Sequence, residues 1–203
     1  MATDPDPLEL PADEWEGWTV VDGSVETLFE LPTGRVRGTV RQYENERTRE
    51  ALRELTDGGI DHTVRFFATT RLGFEPPLPP GTTPAMIVPV LRPEARQSFA
   101  DRLHDRGLTD VEQTGRERIR LGEGTRIRLT RYAAVDPLPG AEVELPLECW
   151  LGVWTDGTVN VATSGYPTVP LATQFDLEAG DQPLRKSAND YREEFRSLLR
   201  ALQ

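Results

Sequence analysis

Arginine recurs at every second position in two neighbouring stretches of the chain, Arg116, Arg118 and Arg120, then Arg126 and Arg128. A strand sends alternate side chains to one face, so each set would form a cationic stripe. Arg126 and Arg128 share theirs with Thr130 and Tyr132. Gly122-Glu123-Gly124 separates the stretches and predicts an antiparallel hairpin that sets the stripes side by side. An earlier set, Arg35, Arg37 and Arg41 with Tyr43, repeats the pattern. Guanidinium grips carboxylate or phosphate through a bidentate fork. Such an island on a sheet face would dock a small anionic ligand or an acidic protein partner. A simpler account is a charge ladder. Glu142, Glu144 and Glu148 fall on one face of the next stretch. Cross-strand pairs with the arginines would contribute about 0.2–1 kcal/mol each without any ligand. On the residues alone the ladder is the preferred reading.

Trp150 and Trp154 are the second feature. They lie on the face of Glu148, opposite Cys149, Leu147, Leu151 and Val153. Either a helix covers them and they belong to a core, or they form an exposed apolar patch for a partner. Two helices must pack somewhere, which favours the core. Trp15 and Trp18 carry the same ambiguity.

Few residues offer catalysis or metal binding. Two histidines, His62 and His104, cannot complete a three-histidine zinc site, and no His-Glu-x-x-His spacing exists. Both read as solvated surface histidines, with His104 favoured by its place near a helix C-terminus. The single Cys149 excludes an internal disulfide and reads as a small buried hydrophobe. Ser164-Gly165 lacks the Gly-x-Ser-x-Gly frame. Gly122-x-Gly124 lacks the third glycine of a dinucleotide fingerprint, and Lys186 follows no glycine-rich phosphate loop. No cofactor or metal is expected. An enzyme would have to rely on carboxylates such as Glu112, Glu117 or Glu148, with arginines holding an anionic substrate.

The 203 residues carry 23 Lys plus Arg against 34 Asp plus Glu, a net charge of −11. Lys186 is the sole lysine. Acid excess, scarce lysine and few aromatics make the composition similar to that of proteins from extreme halophiles. A dense carboxylate surface holds water and counterions in molar salt. Its self-repulsion is screened there, since the Debye length is about 3 Å at 1 M. Stability should therefore fall on dilution into low salt. A melting temperature equal in molar KCl and in dilute buffer would contradict this. The same charge opposes nucleic-acid binding, which rests on phosphate neutralisation. No run approaches the ~20 apolar residues of a membrane span, and the N-terminus lacks a secretory pattern, so a cytoplasmic location is expected.

The elements that must position these residues follow from turn signals and periodicity. Residues 1–14 are rich in Pro, Asp and Glu and predict a flexible acidic arm, unless Leu8 and Leu10 anchor it. Residues 17–22, 24–31 and 35–43 predict a meander, turning at Asp22-Gly23 and at Pro32-Thr33-Gly34. A helix over 45–56 is capped by Asn45 and stopped by Gly58-Gly59. A strand over 62–73 puts Phe66 and Phe67 on opposite faces. The apolar run 85–91 predicts a buried strand with Pro89 at a bulge, and 92–106 a helix ending at Gly107. Strands follow at 108–121, 125–135, 142–154 and 158–163, and a helix over 187–202 closes the chain. Hairpin connections make the sheet mainly antiparallel with helices packed on it, a single α+β domain over 15–203.

This order resembles the PsbP-like fold superfamily, which includes the photosystem II extrinsic subunit and a Ran-binding nuclear transport factor. The matching features are the Trp-bearing first strand Gly17-Trp18-Thr19-Val20, a central helix ending at Gly107, and strands over 117–121 and 126–132. The hairpin of 149–154 with 160–163 and the C-terminal helix through Phe195 complete the match. The resemblance implies a non-catalytic accessory or binding protein, and no family site residue maps onto this chain. Fold likeness alone warrants only association with a function.

Overall fold

The strands build one seven-stranded antiparallel sheet, in the order β1-β2-β3-β7-β6-β5-β4. The computed structural model describes residues 5–11, 15–31, 34–121, 124–139, 141–176 and 182–202. The strands are β1 (Trp18–Leu31), β2 (Gly34–Asn45), β3 (Phe66–Glu75), β4 (Thr109–Leu121), β5 (Thr125–Asp136), β6 (Leu145–Thr155) and β7 (Val159–Pro167). Helices α1 (Glu46–Leu55), α2 (Pro84–Asp105), α3 (Leu171–Gln174), α4 (Gln182–Arg185) and α5 (Ala188–Ala201) complete the α+β domain. Among the described residues no helix is long and apolar enough to cross a membrane.

The central strands of the sheet are covered on both faces, which explains two separate apolar clusters. One, under α2, gathers Val88, Leu91, Phe99 and Leu103 with Leu147, Cys149, Leu151 and Val153 of β6. The other, under α5, gathers Tyr191, Phe195, Leu198 and Leu199 with Ile127, Leu129, Trp150 and Trp154. The strand alternation of β6 thus divides Cys149 from the tryptophans as its sequence requires. Phe66 and Phe67 split between the two clusters in the same way. Helix α5 starts at a capping box between Ser187 and Asp190, which satisfies two orphan donors of its first turn. Asn45 caps α1 by accepting from the Thr48 amide at 3.0 Å.

Four expectations need correction. Residues 85–91 are the first turns of α2, not a strand. A continuous apolar run carries no period, and Pro84 sits where a helix start tolerates it. Met86 and Val90 consequently point outward while Val88 and Leu91 are buried. The first two strands are one, with a bulge between Val20 and Asp22 where a turn was expected. Gly23 lies inside that continuous strand, paired with Arg41 of β2. Residues 62–65 precede β3 and are not part of it.

The acidic arm is also docked, at least over residues 5–11; residues 1–4 and 12–14 lie outside the described residues. Leu8 and Leu10 are buried in the α5-side cluster. The Leu10 amide donates to the Tyr43 hydroxyl at 3.1 Å, and Thr39 and Thr69 donate to the carbonyls of Pro5 and Leu8. Truncating a buried leucine costs the transfer energy and leaves a cavity. The arm leans on the body through a short segment, so its local release limits that cost. Leu8→Ala should therefore lower stability by about 2 kcal/mol, at the low end for such truncations. Chemical denaturation checks this; an unchanged midpoint would mean the arm does not hold the body.

Candidate anion-binding cleft

The β4–β5 hairpin fixes the arginines in register. Arg118 lies directly opposite Arg128, Arg120 opposite Arg126, and Arg116 opposite Thr130. Directly opposed residues share a face, so like charges meet across the strands. That face is the one α2 covers, since Tyr132 and Ala134 of the same alternation join the cluster beneath α2. Here α2 and the hairpin enclose a cleft of about 630 Å³. Arg116, Arg118 and Arg128 enter it from the sheet, and Arg92 and Arg96 from the helix. Leu151 and Val153 of β6 form its apolar floor, and Pro89 and Pro93 of α2 its upper wall.

The five cleft arginines have no carboxylate within 4.0 Å among the described residues. Arg92 shows the strain most clearly. Its Nε is buried without a hydrogen-bond partner. Burial, and then the positive charge of Arg128, pull its pKa down from the usual arginine range. Tyr132, two residues beyond the cleft's Thr130, donates to the Arg96 carbonyl at 3.4 Å. Burial raises its pKa, partly opposed by the charges of Arg96 and Arg116. Other arginines of the sheet are paired: Arg35 with Glu30 and Arg41 with Glu9.

The expected charge ladder is absent. Glu142 and Glu144 precede β6 and are exposed. Glu148 points to the opposite, α5 side. There Arg192 grips it at 2.8 Å, Arg131 lies 3.7 Å away, and Trp150 and Tyr166 donate to it. The period-2 argument placed the glutamates on one face but could not say which. Trp150 and Trp154 are 2% and 3% exposed, so the exposed-patch reading of these two residues is corrected: α5 covers them. Arg120 and Arg126 share the face of the cleft arginines yet do not line the cleft. Arg92 and Arg96 were not singled out from the sequence. Their signal was available, since arginines four apart lie on one side of a helix, but which sheet face that helix covers is a long-range fact.

The catalytic alternatives do not converge. Glu117 binds Arg196 at 2.5 Å, Glu112 is exposed, and Glu148 is committed to its buried network. Cys149 is fully buried, and burial pushes its thiol up to about 12. Ser164 donates to the Phe66 carbonyl. His104 is exposed as expected. His62 is not a solvated histidine: its Nε2 lies 2.9 Å from buried Asp136, beside a shallow hollow with Arg49 and Arg106. No group of three His, Cys, Asp or Glu among the described residues could hold a metal ion.

A family model described as "Domain of unknown function (DUF6517)" matches residues 4–203, so the chain belongs to that family. No curated protein matches it.

Proposed function

We propose that this member of the DUF6517 family is a non-catalytic binding protein that holds a small anionic ligand, through phosphate or carboxylate groups, in the arginine cleft between α2 and the β4–β5 hairpin. The observation that carries the reading is the convergence of Arg92, Arg96, Arg116, Arg118 and Arg128 on one concavity, where the one acidic lining residue, Glu117, is paired with Arg196 instead. On a chain with net charge −11, mutual repulsion of five guanidiniums is a cost that a bound anion offsets. The cleft offers apolar walls with a few convergent charged groups, the usual build of a small-ligand site. Its concavity favours a small ligand over an acidic protein surface. The PsbP-like resemblance and the halophile-like composition belong to the same proposal: an accessory binding protein working in concentrated salt, where several guanidiniums acting together offset the screening of each single contact.

The test is calorimetric titration with pyrophosphate and citrate at several KCl concentrations, for the parent and for Arg118→Glu. Charge-assisted hydrogen bonds contribute about 1.5–3 kcal/mol each, so the variant should lose at least about 10- to 100-fold in affinity. Absence of saturable binding, or equal binding by the variant, would overturn the reading.

A further inference from the structure

Helix α2 has a second hollow on its other flank. It measures about 280 Å³ and is mostly apolar, walled by Leu72, Leu91, Phe99 and Val161. Leu151 and Val153 of β6 floor both hollows. Along the same turns of α2, Arg92 and Arg96 face the cationic cleft while Leu91, Ala95, Ser98 and Phe99 face the apolar one. The helix therefore rests on the sheet along a narrow ridge, with charge-binding space on one side and oil-like space on the other. Pro89 and Pro93 both lie inside α2 at this crossing. Each removes an i→i−4 hydrogen bond, so these turns are the least tied part of the helix. Ala95, which lines the apolar hollow, carries only a methyl group.

From this juxtaposition we propose that the ligand is an anionic amphiphile, with a phosphate or carboxylate head among the cleft arginines and an aliphatic chain passing beneath α2, across Leu151 and Val153, into the apolar hollow. The proposal rests on the anion-binding reading above and adds the ligand's second half. A purely polar anion would leave the apolar hollow empty of any role. A neutral lipid would leave the arginines unmatched.

The experiment is a chain-length series: inorganic phosphate, then butyl, hexyl, octyl and decyl phosphate, each below its micellar concentration, titrated by calorimetry. Decanoate serves as the carboxylate-headed arm. Each methylene that enters the hollow should raise affinity about threefold to fourfold until the space is filled, after which the gain stops. Ser98→Trp, on the partly exposed flank of α2, fills the hollow from the helix side; Val161→Phe fills it from β7, should the first variant fail to fold. Either should abolish the chain-length gain and leave inorganic phosphate binding unchanged. Arg118→Glu should weaken every member of the series. Phosphate binding with no gain along the series overturns this inference and leaves the anion reading standing. So does a gain that survives both filling variants. Absence of binding by any head group overturns both readings together.

Discussion

Arg128→Glu will raise the melting temperature of the ligand-free protein while it abolishes anion binding. Arg128 faces Arg118 across the hairpin, and its charge adds to burial in lowering the pKa of Arg92. Like charges directly opposite destabilise a sheet by roughly the amounts that opposite charges stabilise it, about 0.2–1 kcal/mol per pair. Reversing one member removes a repulsion and creates an attraction. The gain is about 1 kcal/mol, or about 2–4 °C for a chain of this size. It should be largest at the lowest salt at which the parent remains folded, because the side chains are exposed and screening erodes the term. A neutral variant, Arg128→Met, should show about half the gain. Pyrophosphate should raise the parent's melting temperature by mass action and leave that of Arg128→Glu unmoved. The opposite pattern, a variant less stable than the parent, would mean that Arg128 has a stabilising partner and that the cluster is structural. A gain in stability at the expense of binding is the mark of a site selected for a ligand.

This outcome depends on a feature half legible in the sequence. Period-2 arginines and a glycine-rich turn are local signals, and they place Arg116, Arg118, Arg120, Arg126 and Arg128 on one face of a hairpin as observed. Local signals also separated Cys149 from Trp150 and bounded α1 and α5. What they could not supply is the identity of the layer above each face. The glutamates of 142–148 seemed available to the arginines because nothing in a strand's alternation says whether two strands present their charged faces to the same helix. The apolar run 85–91 failed for a related reason. A segment apolar all round has no period, so helix and strand read alike, and the misreading hid the fact that Arg92 and Arg96 continue a longer helix across the cleft. For the arm, the Pro, Asp and Glu content points to solvent and Leu8 and Leu10 to an anchor; the anchor is what forms, with both leucines buried and five hydrogen bonds to β2 and β3.

On the opposite face of the sheet, Glu148→Ala should be the most destabilising single change proposed, and it should leave the cleft untouched. Glu148 is 8% exposed. Its Oε1 accepts from the Tyr166 hydroxyl at 2.7 Å and from Trp150 Nε1 at 3.0 Å. Arg192 of α5 closes a fork on both oxygens at 2.8 Å. The carboxylate thereby ties α5 to β6 and β7 through one group. Burial, then the adjacent carboxylate, push the Tyr166 hydroxyl well above its ordinary range, in keeping with its donation to Glu148. Deleting one partner of a buried ion pair costs about 3–5 kcal/mol, because the other charge is left without compensation. Here Arg192 and the Tyr166 hydroxyl would lose their acceptor, while Trp150 would keep its bond to the Tyr166 oxygen at 2.7 Å, and the melting temperature should fall by about 10 °C. Glu148→Gln keeps an acceptor for the two neutral donors and loses only the charge, so its cost should be smaller, about 1–3 kcal/mol. Because Glu148 points away from the arginines of the cleft, pyrophosphate affinity measured well below the lowered melting temperature should equal the parent's. A fall in melting temperature of less than about 2 °C, below the shift expected for 1 kcal/mol, would show that α5 is held by its apolar face alone. A parallel loss of anion affinity would show that the two faces of the sheet are coupled, and that the buried carboxylate supports the cleft through β6.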